Sequence, residues 1–369
     1  MSYVIVQEPG TYNLSTEMKD IVLSTTLPTD IVLKINDTEI LHEVYNPDTD
    51  DKIYITELGK LIENYLSGSG FDSAWHTALV CELTLDVLND EEETELGAYK
   101  VLFCKAISNT EAEKFFTSDL FLRLTGTNKH TQIGSVEYLT ACFEDSKTVQ
   151  CFVTTSNFVN SVKRELYTAT ADEIKTLNVS FGTIAAKFPE IDPNTIIAYR
   201  IELGSEIVVY FVDRSNYLSP LQFRFTNYFD VPETIITRGN VIRKGINTFE
   251  TARIQGIDVK YNSERADNFL VDSGKLFLNT DADRFREFFD SENVEVWFMN
   301  KWNKVIVKDE SSEHSIRTGL SGTIQFSFYF ADNRNNNTLT ASKFLKWILE
   351  NGTWNDDNVW IDSEHWIDS

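Results

Sequence analysis

The chain of 369 residues is poor in several residue types, and each scarcity closes off a class of protein. Four cysteines, Cys81, Cys104, Cys142 and Cys151, are too few and too scattered for a disulfide scaffold, and no C-x-x-C pair offers zinc a site. Each sits in an apolar, strand-like run where cysteine behaves as a small core hydrophobe, so buried free thiols are expected. The five histidines, His42, His76, His130, His314 and His365, never pair at i, i+3 or i+4, so no helical metal-ligand pair exists. A hydrogen-bonded or solvated structural role is expected of each. Long hydrophobic runs are missing too. The longest, Ile207–Val212, falls far short of the ~20 residues that span a bilayer. The first residues, Met1 to Pro9, show neither a basic segment nor an apolar one, so no secretory signal is expected and synthesis in a cytoplasm is. Basic residues are outnumbered, 33 Lys and Arg against 57 Asp and Glu, for a formal charge of −24. Wrapped nucleic acid needs cations to displace counterions, and anionic membranes attract cations, so neither partner is expected.

What the chain has is strand-forming material: 42% hydrophobic residues, including 25 Phe and 14 Tyr, are ample for packed cores. Apolar and polar residues alternate at Ile31–Ile35, Leu79–Leu85, Tyr199–Leu203, Leu221–Thr226 and Ile324–Phe330, as half-buried antiparallel strands require. Turn formers punctuate them at Asn36-Asp37, Asn46-Pro47-Asp48, Arg238-Gly239-Asn240 and Asn300-Lys301. The expected fold is mostly β: two or three antiparallel β-sandwich domains, a few short helices and an extended C-terminal arm. The expected domains are 1–155, then 156–331 with a possible split near 230, then a linker and arm over 332–369. Amphipathic spacing predicts helices at Thr56–Leu66, with Thr56 as N-cap, and at Asp281–Phe289, with the Thr280 hydroxyl in its cap. A short third helix is expected within 109–116. Helices of this kind cap a sheet.

Chemistry is hard to find. There is no G-x-S-x-G elbow, no phosphate-binding Gly-Lys-Ser/Thr loop and no dinucleotide fingerprint. Carboxylate pairs follow from the abundance of acids alone and carry no weight as a glycosidase signal. Asp48–Asp51 begins like a calcium loop but lacks its glycine and closing glutamate, so a hairpin tip is the better reading. Asp90, Glu91, Glu92 and Glu93 read as a solvated loop between strands, where a basic partner or a cation could dock. No cofactor is expected, with cation binding at these acidic loops left open. Phe71 and Trp75, with Trp302 further on, are the aromatics to test for stacking on a sugar. A hydrophobic plug against the Thr56–Leu66 helix explains Phe71 and Trp75 equally well.

The most specific feature is the end of the chain, where Trp354, Trp360 and Trp366 recur every six residues, each followed closely by aspartate. An even period sets three indoles along one side of an extended segment. Too short to bury them itself, the segment needs another surface, on its own chain or a neighbour.

This ending resembles that of virion tail proteins from tailed phages and prophages of Bacteroidetes bacteria. So do Leu221–Thr234, with its F-x-N-x-F-like strand and turn, and the later runs Val294–Trp297, Trp302–Val307 and Phe326–Asp332. The front half, Ile31–Tyr45 and Ile53–Leu58, is similar to the N-terminal sandwich of that family. The resemblance implies a non-enzymatic structural component of a tail, baseplate or connector ring. It implies self-assembly as a homo-oligomer around the tail axis, contacts with other virion tail proteins, and location in the virion. Trp354, Trp360 and Trp366 would anchor an assembly arm. A carbohydrate-recognising receptor-binding protein at the tail tip is the alternative, and a glycan hydrolase a distant third. A ring of such acidic subunits carries a heavy like-charge load, and its acidic face would suit a passage along which DNA slides without sticking.

Overall fold

The alternating runs become strands, and the strands assemble around three separate cores. A computed structural model describes residues 3–71, 74–89, 92–217, 220–254, 257–276, 279–311, 322–332, 353–354 and 360–361. The protein is mostly β, built of several largely antiparallel sheets with a few short helices.

In the first unit a five-stranded sheet runs in the order Tyr12–Leu14, Glu92–Leu102, Val80–Asn89, Thr29–Ile35, Thr38–Tyr45. A three-stranded sheet of Val4–Gln7, Ile21–Ser24 and Lys52–Ile55 shares its core, in which Leu14, Ile21, Leu33, Leu83 and Val101 are fully buried. The middle unit pairs another five-stranded sheet (Asn128–Gln132, Glu206–Asp213, Ile196–Leu203, Thr148–Thr155, Arg164–Thr168) with a three-stranded one (Glu173–Asn178, Tyr138–Phe143, Leu120–Phe121). Its core holds Val149, Val153, Phe188, Tyr199 and Ile201. Two pairings depart from the antiparallel expectation: Tyr12–Leu14 runs parallel to Lys100–Leu102, and Asn128–Gln132 parallel to Val209–Asp213.

The third unit is one seven-stranded sheet with a helix, Asn279–Asp290, packed on it. Phe223 and Phe326 stand three strands apart in sheet order, roughly 14 Å if the sheet were flat. Their ring centroids are 5.5 Å apart, so the sheet curls over itself, and Phe223, Phe288, Phe326 and Phe328 fill the concave side.

The cores change meeting places at about residues 122 and 220. The expected boundary at 155 therefore falls inside the middle core, at the end of a strand, Thr148–Thr155, that pairs directly with Arg164–Thr168. Alternation located the strands but not their partners. The possible split near 230 corresponds instead to a turn that rivets the units together. After strand Leu221–Thr226, the Asn227 carboxamide donates to the Leu122 carbonyl and accepts from the Phe229 N–H, 2.9 Å each. That turn drives Phe229 and Val231, both fully buried, into the first unit's core, with Phe229 against Phe115. The Asp230 carboxylate accepts from the Gly68 N–H at 2.6 Å. A side chain at position 68 would meet the Asp230 carbonyl at 1.8 Å, which is why a glycine stands there.

The helices need two corrections. The first spans Leu58–Glu63, and its N-cap residue is Glu57 with a left-handed φ of 58°, without a side-chain cap. Thr56 is therefore not the cap. In the helix Asn279–Asp290, Thr280 lies inside the first turn and its buried hydroxyl has no hydrogen-bond partner among the described residues. The short third helix is Ala112–Thr117.

Candidate functional site

Phe71 and Trp302, distant in sequence, meet across one guanidinium. Strand Leu221–Thr226 points Arg224 outward from the third core, and its charge centre lies 4.5 Å from the Phe71 ring centroid and 4.7 Å from that of Trp302. Glu295 on the adjacent strand accepts from Arg224 Nε at 2.7 Å and lies 2.5 Å from its Nη2. Trp297 packs edge-on against Trp302. Two of the three aromatics offered for sugar stacking thus share one cation between their rings.

Trp75 lies apart from that pair. It bridges to the strand Glu173–Asn178 at Lys175, whose ammonium sits 3.7 Å from the Trp75 ring centroid and 3.8 Å from that of Tyr167. Desolvation lowers the Lys175 pKa, and Glu173 opposes that. Next to Trp75, His76 is buried, and burial holds its imidazole below the ordinary value. The neutral ring accepts the Ser69 N–H on Nδ1 and lies 2.7 Å from the Thr176 hydroxyl on Nε2, a structural role as expected. His42 pairs with Asp30 at 3.0 Å, while His314 and His365 lie outside the described residues.

Trp75 also lines a cleft of about 660 Å³ between the first and middle units. Phe115, Phe116, Phe143 and Ile174 supply its apolar walls, and Glu82, Glu144, Asp172 and Glu173 its acids, against Lys100.

Glu92 and Glu93 are not loop residues. They open the strand Glu92–Leu102 and sit opposite Asn89 and Leu88, while Asp90 and Glu91 lie outside the described residues. The Asp48–Asp51 segment joins two different sheets and is not a hairpin tip. The Asp48 carboxylate closes the segment on itself by accepting from the Asp50 and Lys52 N–H groups at 2.8 and 2.9 Å. Among the described residues no cluster of His, Cys, Asp and Glu is arranged to hold a metal ion. In the C-terminal arm, Trp354 and Trp360 are register partners of an antiparallel pair, which replaces the single extended run expected there. Trp366 lies outside the described residues. The cysteines are free thiols, with burial pushing Cys81, Cys104 and Cys142 up to about 12 and Cys151 up to about 11.

Sequence reasoning missed a buried charge cluster where the middle and third units join. Lys129 lies 2.6 Å from both Glu137 and Glu233, and it donates to the Thr234 hydroxyl at 2.8 Å. Glu137 accepts from Thr131 and Thr234. Arg284 and Glu287, one turn apart on the helix Asn279–Asp290, bring a further cation and carboxyl, and Arg123 adds a third cation. Burial opposes ionisation of Glu233, yet Lys129, Arg284 and Arg123 prevail and hold it down at about 2. Burial, reinforced by the Glu233 charge, pushes Glu287 up to about 8 despite the two arginines. One carboxyl of the pair is ionised at neutral pH and the other keeps its proton. The only signal in sequence was a charge inside each of two short strands, Lys129 in Asn128–Gln132 and Glu233 in Pro232–Thr237.

Two features project from the body. Strands Val241–Ile254 and Ile257–Asp272 form a ladder from Val241↔Val271 to Ile254↔Ile257, but the rest of the sheet joins it only at Phe269–Asp272. Beyond that, over roughly 35 Å, it is a two-stranded ribbon, and no third strand pairs with it among the described residues. From Arg243 to Asp267 it holds five basic residues against four acidic ones, in a chain of net charge −24. The second projection is the turn after Thr155, where Phe158 is 82% exposed, Val159 61% and Val162 70%.

No protein-family model matches the chain, and no curated protein matches it.

Proposed function

We infer that the protein is a non-enzymatic structural component of a phage tail, baseplate or connector ring that assembles with copies of itself. The observation that carries this reading is the projecting ribbon. A two-stranded hairpin alone in water is marginally stable, and its unpaired edges template pairing with another chain. Its near-balanced charge makes it a place where a strongly acidic subunit can approach a copy of itself at low electrostatic cost. The likeness of the Trp-rich ending and of Leu221–Thr234 to tail proteins supplies the biological setting. The carbohydrate reading is less supported, because Phe71 and Trp302 already clasp Arg224.

The test is assembly. Full-length protein, a variant with 245–266 replaced by Asn-Gly, and a variant ending at 337 are compared by light scattering and negative-stain microscopy. The full-length chain is expected to form discrete oligomers, and each deletion to leave folded subunits that no longer assemble. A full-length chain that stays monomeric up to high concentration would overturn the reading.

A further inference from the structure

The seven-stranded sheet has a second face. Phe223, Phe326 and Phe328 turn into the concave side, so alternation along Val294–Phe298, Lys301–Ser311 and Gln325–Phe330 sends Trp297, Lys304, Ile306, Lys308 and Tyr329 to the convex side. Register joins them into one patch, with Trp297 opposite Trp302 and Ile306 opposite Tyr329. Ile242 and Lys244, opposite Leu270 and Asn268, extend it at the root of the ribbon. Trp297, Ile306, Tyr329 and Ile242 are each between 37% and 51% exposed. Large apolar residues left bare side by side mark a docking surface.

Charge sets this face apart. In a chain of net charge −24 it presents three exposed lysines, Lys244, Lys304 and Lys308, and among the described residues none of them is in an ion pair. Lys304 donates to the Asn293 carboxamide at 3.4 Å. The carboxylates of the same face are engaged elsewhere, Glu295 by Arg224 and Asp272 by the Gly274 N–H at 2.7 Å. The occupant that fits such a face is acidic and apolar at once.

One segment of this chain has that character. Residues 350–369 hold six carboxylates, Trp354, Trp360 and Trp366, and no lysine or arginine. Trp354 and Trp360, directly opposed in their antiparallel pair, share one face of it. The segment also departs from the right place. The Ala331 N–H donates to the Lys304 carbonyl at 3.0 Å, so the chain leaves the sheet beside this patch. The 22 residues from Asp332 to Thr353 reach at most about 75 Å, far enough to arrive at a neighbouring subunit. Like charge decides between the arm's own face and a neighbour's. Laid across the joint, six carboxylates meet three lysines where two acidic copies would otherwise repel.

We propose that the 350–369 arm of one copy lies on the convex face of the third unit of the next, with its tryptophans against Trp297, Ile306 and Tyr329 and its carboxylates on Lys244, Lys304 and Lys308. Arm and face are different surfaces, so the contact is head-to-tail and repeats into a ring or a helical stack. This deepens the self-assembly reading and rests on it.

The double variant Lys304→Glu, Lys308→Glu tests the face. Both side chains are exposed and outside any ion pair, so the thermal midpoint is expected to hold while the oligomer seen by light scattering is lost. A second measurement keeps the face lysines intact. The benzophenone analogue of phenylalanine replaces Ile306 in full-length protein, light and heavy-isotope chains are mixed and irradiated, and the products are mapped by mass spectrometry. Cross-links from position 306 to 350–369 that join light chains to heavy ones are expected. Products confined to single chains, or landing outside 350–369, overturn this contact, as does assembly that survives the lysine reversals, and each leaves self-assembly standing. A full-length chain that never assembles overturns both.

Discussion

Glu287 makes the protein's stability fall as pH rises. In the unfolded chain its carboxyl ionises near the ordinary 4.5, but in the fold it holds its proton until about 8. Between those values the unfolded state binds fewer protons than the folded one. Stability therefore drops by about 1.4 kcal/mol per pH unit, on the order of 5 kcal/mol in all by pH 8. Glu287→Gln removes the term, because an amide carries no proton to lose and its oxygen still accepts from the Tyr228 N–H. Urea unfolding followed by tryptophan fluorescence, which reports on Trp297 and Trp302 of the third unit among others, should find the two proteins alike at pH 5. At pH 8 the variant should be the more stable by several kcal/mol. An unchanged difference between the proteins at the two pH values would refute the reasoning. Glu233 acts in the opposite sense: its contribution is complete above 4.5 and is lost as pH falls through about 2.

Other substitutions probe the remaining joints. Lys129→Met strands Glu137 and Glu233 without their shared cation and should cost about 3–5 kcal/mol by denaturant titration. Phe229→Ala empties a fully buried site in the first core and should cost about 3–5 kcal/mol, although residue 229 belongs to the third unit's hairpin. Gly68→Ala forces the Asp230 turn away and should lower the thermal midpoint more than a typical surface change, read by calorimetry. Arg224→Lys keeps the charge but loses the flat group between Phe71 and Trp302. A loss of about 1–2 kcal/mol is expected, together with a change in tryptophan emission.

The sequence announced strands well where one face met a core and the other met water. Tyr199–Leu203 is such a case, alternating between buried Tyr199, Ile201 and Leu203 and half-buried Arg200 and Glu202. Leu221–Thr226 shows the same alternation and is a strand, yet Arg224 and Thr226 are buried as well, because the polar face packs on Phe71, Trp302 and neighbouring elements. Period-two patterning states which residues share a face, not what covers the second face. The domain boundary at 155 failed for a related reason, since pairing partners are chosen over distances no local pattern encodes. The charge cluster was illegible because its members are spread from Arg123 to Glu287 and only the fold collects them. The exposed tip was readable as sequence, Asn157-Phe158-Val159-Asn160, but nothing local distinguished it from one more strand end.

The rivet formed by the 227–231 turn also sets a timetable for synthesis. The first core receives strands up to about residue 122, but its last two buried residues, Phe229 and Val231, are added more than a hundred positions later. At bacterial-to-eukaryotic elongation rates of roughly 5–20 residues per second, the ribosome needs about 5–20 s to deliver them. Throughout that interval Phe115 lacks its ring partner and the earliest-made unit is an unfinished vessel, sealed from above by the hairpin of a unit still emerging. The chain therefore completes its first core late, and it couples the maturation of that core to the arrival of the segment that carries the ribbon.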